Sequence, residues 1–126
     1  MRSLRALLWI DCVAGATVGS AALALAAGRH FSSLTGLPGW LPIFMGSANL
    51  LYAAFAYSIV NTERCSAMPV RNLALANAAW SMTCIFMAFF FFSIATMLGL
   101  TYLMGEAAFV GCLAYLEWKA CLRGPV

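Results

Sequence analysis

Four runs of apolar residues, each long enough to cross a lipid bilayer as a helix, constrain this sequence more than any other feature. Spanning about 30 Å of hydrocarbon takes about 20 residues in an α-helix. The runs extend from Leu4 to Ala27, from Trp40 to Val60, from Leu73 to about Thr96, and from about Thr101 to Leu122. Lipid offers backbone amides no hydrogen bonds, so segments of this kind must satisfy their own as helices. The expectation is an all-α membrane protein, a four-transmembrane-helix bundle built as a single integral membrane domain over residues 1–126. Composition removes the soluble alternative: 64% of residues are hydrophobic and 9% charged, where soluble domains carry about 25% charged residues.

The breaks between runs have chemical causes. Gly28-Arg29-His30 ends the first, and Gly36-Leu37-Pro38-Gly39 introduces the second. Asn61 through Arg71, with Glu63, Arg64 and Pro69, makes the longest polar link. The third break, near Gly99, is inferred mainly from length. Between the first two runs, Phe31, Leu34 and Leu37 recur at helical spacing, which fits either a short interfacial helix or a plain loop. The stretch from Arg2 through Ala26 mimics a secretory signal peptide. Its apolar part is too long for one and is interrupted by Asp11, so it is read as a transmembrane helix.

Positive charge sets the expected orientation. Arg2, Arg5, Arg64, Arg71, Lys119 and Arg123 fall on one side of the membrane and Arg29 on the other. The positive-inside rule therefore puts both ends of the chain in the cytoplasm. Trp9 and Trp118 then mark the cytoplasmic interface and Trp40 the outer one. The net charge of +3 is dispersed, with no basic stripe of the kind that nucleic acid requires. Cysteines at 12, 65, 84, 112 and 121 form no closely spaced pair. They read as buried thiols, and no metal-ligand set and no particular cofactor follows from them.

Ionisable groups inside a span are costly, and each is a functional candidate. Asp11, Asn77 and Glu117 are expected to converge in one polar layer of the inner leaflet. Tyr57 and Ser58 would lie nearby, with Arg5, Arg71 or Lys119 as neutralising partners. Glu106 stands apart, about five residues into the last run from the outer side. Asn49, with Ser47 beside it, is its best-placed partner, and Arg29 and His30 could offer positive charge. Glu106, Val110, Leu113 and Glu117 follow one helical stripe, as do Asp11, Gly15, Val18 and Ala22. Asn77, Ser81, Cys84 and Ala88 make a third stripe, and Asn49, Ala53 and Ala56 a fourth. These faces should line the bundle interior and leave Phe86 and Phe90 outside. Gly15 and Gly19 form a Gly-x-x-x-Gly pair that permits close helix packing.

The run Trp40-Leu-Pro-Ile through Leu50-Leu-Tyr-Ala, with Asn77-Ala-Ala-Trp80, Gly105-Glu-Ala-Ala-Phe-Val110 and Leu116-Glu-Trp118, resembles a group of small four-helix bacterial inner-membrane proteins. The resemblance implies a topology and carries over no catalytic residue. Small multidrug resistance transporters are similar in length and use a membrane carboxylate. They place it centrally in the first helix, where this chain has Asp11 near one end. Membrane thiol oxidoreductases would need paired cysteines. Three functions remain. The first is a protein that binds membrane lipid, a small hydrophobic ligand or a partner helix. The second is an oligomeric transporter or channel that uses Glu106 or Asp11, and the third is a small membrane enzyme.

Overall fold

The computed structural model of the protein describes residues 2–28, 31–61 and 67–122. Helices α1 (Arg2–Ala27), α3 (Leu41–Val60), α4 (Ala67–Phe90) and α5 (Met97–Leu122) are each long and apolar enough to cross a membrane. A short helix, α2 (Phe31–Thr35), lies between α1 and α3, and no strand occurs among the described residues. The chain is an all-α, four-helix membrane bundle.

The bundle is two helical hairpins laid side by side. α1 packs along α3 and α4 along α5, and each pair is in far closer contact than the two pairs are with each other. Glycine explains the first hairpin. A Cβ added at Gly19 would stand 2.8 Å from the Gly46 carbonyl oxygen, and one at Gly15 2.9 Å from that of Asn49. The Gly-x-x-x-Gly pair is thus a backbone-to-backbone crossing. Dispersion at such short range takes the place of the hydrophobic force that lipid does not supply. In the second hairpin, Ser81 Oγ donates to the Ala107 carbonyl at 2.7 Å. Gly19→Ala should therefore cost about 1–3 kcal/mol by forcing α1 off α3. Reversible unfolding in mixed micelles measures this, and wild-type stability in the variant would show that the crossing is slack.

Three boundaries differ by four residues or more from those read in the sequence. α4 starts at Ala67, because Pro69 sits in the first helical turn, where a missing N–H costs nothing. It stops at Phe90, and residues 91–96 leave the helix although Phe91, Phe92 and Ile94 are apolar. The amides of Phe91 and Ala95 bond to the carbonyls of Met87 and Phe91. α5 then starts four residues earlier than expected, with Thr96 Oγ1 accepting from the Gly99 amide at 3.2 Å in the manner of an N-cap. Gly99 lies inside α5 and not at the break.

The α2 segment is not a free interfacial helix. Its last residue, Thr35, is buried and accepts a hydrogen bond from the Thr96 amide at 2.8 Å. Thr96 Oγ1 donates to the Leu34 carbonyl at 2.8 Å. Leu37, Leu41, Met45 and Leu103 make the core at this end, and Leu4, Leu8, Val70 and Leu73 make it at the opposite end. Phe86, Phe89 and Phe90 are exposed toward lipid, as the stripes require. The orientation expected from charge is checked by two reporters active only in the cytoplasm. One fused after Val126 should give signal and one inserted after Ser33 should not, and the reverse pattern would overturn it.

Candidate functional site

Two amide–carboxyl nodes bridge the seam between the hairpins. Asn49 Nδ2 on α3 donates to Glu106 Oε1 on α5 at 2.6 Å and to the Met45 carbonyl at 2.9 Å. Both N–H groups of its amide are thus used, which fixes the amide's orientation. Trp80 Nε1 on α4 donates to the same Glu106 oxygen at 3.1 Å. Glu106 Oε2 is buried and accepts no hydrogen bond from the described residues. At the second node, Asn77 Nδ2 on α4 donates to Asp11 Oδ2 on α1 at 2.8 Å and to Glu117 Oε1 on α5 at 2.9 Å. These three side chains are at most 4% exposed. Glu117 Oε2, like Glu106 Oε2, is buried and accepts no hydrogen bond from the described residues.

The five candidate residues therefore fall into a pair and a trio, on the stripes that the sequence laid out. Glu106 and Glu117 are 11 residues apart, roughly 16 Å along the helix at 1.5 Å per residue. Because α5 starts at Met97, Glu106 sits about 13 Å into its helix, deeper than the sequence reading placed it. The polar surroundings assigned to the trio are corrected by the structure. Tyr57 is exposed and packs edge-on against Trp9, and Ser58 Oγ donates to the Phe55 carbonyl in its own helix. Arg71 lies over the Trp118 ring and Lys119 over that of Tyr115. Arg5 donates to the Val60 carbonyl at 3.2 Å. Ser47 is exposed and does not join Asn49. Arg29, His30 and Cys65 lie outside the described residues. The other four cysteines are free thiols, with Cys84 buried and Cys112 exposed.

A cavity of about 290 Å³ occupies the seam and joins the two nodes. Asp11 and Asn77 form its wall at one end, and Asn49 and Glu106 at the other. Gly15, Val18, Tyr52, Trp80, Tyr102 and Val110 also line it. Tyr52 Oη donates to the Ala76 carbonyl at 3.1 Å, so α3 and α4 are pinned beside the cavity. Thr101, Gly105 and Phe109, at four-residue intervals on α5, line the cavity and are also exposed. They mark its mouth toward lipid. The aromatic wall was missed in the sequence. Trp80 lies three residues after Asn77, on the same helical face, and that spacing was the available signal.

No family model matches the chain, and no curated protein or solved structure is significantly similar to it. The fold and site together define a class, a multi-pass four-helix membrane protein with a carboxyl-bearing cavity between two hairpins.

Proposed function

We propose that this protein of the bacterial inner membrane binds a small, lipid-soluble ligand in the seam between its hairpins, with Glu106 as the anchoring group. The observation that carries the reading is a carboxyl group with an unused acceptor oxygen in the wall of an otherwise largely apolar intramembrane cavity. Small-molecule sites are concave and apolar, with a few placed polar groups, and fill about 300–1,000 Å³. This cavity is at the small end of that range, which suits a compact molecule better than a partner helix. Asn49 and Trp80 fix one oxygen of Glu106, and that bonding orients the carboxyl before any ligand arrives. A transporter reading has one observation in its favour: carboxyl groups at two depths share one cavity. In that reading, oligomers would pass an ion or proton between the nodes.

The test is purification of wild type and Glu106→Gln in mild detergent, followed by mass spectrometry of co-purifying small molecules. Glutamine keeps an acceptor oxygen for Asn49 and Trp80 and removes the ionisable group. The expected result is a ligand retained by wild type and depleted about tenfold or more in the variant, at matched thermal stability. Equal retention would leave Glu106 as an interhelical contact only. Uptake of ligand by sealed proteoliposomes, abolished by the same substitution, would favour the transporter reading.

A further inference from the structure

The walls of the seam cavity are electrically one-sided. Asp11 contributes a carboxyl from α1 and Glu106 one from α5. The polar groups that join them, on Asn49 and Tyr52 from α3 and Asn77 from α4, are neutral. Among the described residues no Lys, Arg or His lines the cavity. Arg71 and Lys119, basic residues of the second hairpin, are placed instead on the rings of Trp118 and Tyr115. A carboxyl in hydrocarbon without a cationic neighbour is carried neutral unless a positive charge arrives beside it, so a cation is the ligand that would let it ionise and form an ion pair.

The apolar part of the wall is also suited to a cation. Four aromatic residues, Tyr52, Trp80, Tyr102 and Phe109, line the cavity, with the rings of Tyr52 and Trp80 6.0 Å apart. The face of an aromatic ring is the negative end of its quadrupole and attracts ammonium groups, most strongly where water is excluded. A neutral apolar ligand would gain nothing from the carboxyls, and an anion would find no positive charge in the wall.

We infer that the ligand taken by this cavity is an organic cation, an amine or quaternary ammonium on a compact apolar body, held by Glu106 and the surrounding rings. The inference rests on the ligand-binding reading above and adds the sign of the ligand's charge.

The test uses two probes of equal shape, benzyltrimethylammonium and its neutral carbon counterpart neopentylbenzene, titrated against the full chain in neutral detergent and followed by thermal stabilisation. With each affinity taken per mole of probe dissolved in the micelle, wild type should bind the cation about tenfold more tightly than the hydrocarbon. Glu106→Gln should remove most of that preference and leave the affinity for neopentylbenzene within about twofold. Equal affinities in wild type, or a cation preference that survives in Glu106→Gln, would overturn the inference and leave the ligand cavity standing. Binding of neither probe would count against the cation and the cavity together. The comparison of probes on wild type needs no variant, so it decides the sign of the charge even if Glu106→Gln fails to fold.

Discussion

Alanine at Gly36 will loosen the α2 end of the bundle and lower stability by about 2 kcal/mol or more. Gly36 has φ of 71°, in the left-handed region. An L-residue pays about 1–2 kcal/mol to stay there. A Cβ at Gly36 would also run into the Ile94 carbonyl, a backbone atom of the turn between α4 and α5. That turn cannot retreat cheaply, because the Thr96 amide and hydroxyl are both bonded to residues just ahead of Gly36. The contrasting variant is Gly105→Ala. A Cβ at Gly105 meets nothing within 4 Å, and exchanging Gly for Ala inside a helix gains roughly 0.5–1 kcal/mol. Thermal unfolding in one detergent should separate the two in opposite directions. A Gly36→Ala variant as stable as wild type would show that the α2 segment is not keyed to the α4–α5 turn.

Asn77→Leu should be the second costly change. An interhelical hydrogen bond inside a membrane is worth about 0.6 kcal/mol on average, which alone would make this substitution mild. Asn77, however, supplies donors to two carboxyl groups on two other helices. Its loss strands both, and buried acceptors without donors cost about 1–3 kcal/mol, more when charged. The expected loss is therefore about 2–4 kcal/mol. Asn77→Leu combined with Glu117→Leu should recover part of it, because replacing a buried polar set with apolar groups is often neutral where removing one member is not. Additive losses in that double variant would be incompatible with a shared node.

Much of this architecture was legible before any coordinates. Hydropathy placed four spans because lipid leaves a helix no other way to satisfy its backbone. Stripes at helical spacing placed Asp11, Asn49, Asn77, Glu106 and Glu117 on interior faces. The turn between α4 and α5 was misplaced because Phe91, Phe92 and Ile94 are as apolar as the helices they separate, so hydropathy does not dip there. Its signal is the Thr96 cap, a hydrogen-bond feature that composition does not register. Tyr57 was misassigned for a different reason. Tyr57 and Tyr52 are five residues apart and so lie on different faces of α3, and only the helix rotation set by the glycine crossing decides which one turns inward. Arg71 and Lys119 could not be placed from sequence, because a long basic side chain can reach a ring at the interface as readily as a carboxylate.

The mouth of the cavity at Thr101, Gly105 and Phe109 gives onto hydrocarbon, so any occupant comes to it as a solute dissolved in the bilayer. Its effective concentration is then its mole fraction among the lipids, which for an amphiphile exceeds the aqueous value by its partition coefficient. Weak contacts inside the seam suffice for high occupancy, and apparent affinity will change with acyl chain length and with the volume of detergent micelles. Two compounds that fit the cavity equally well will differ in potency by the ratio of their partitioning. Structure–activity series for this protein are therefore to be compared per mole of lipid and not per litre of buffer.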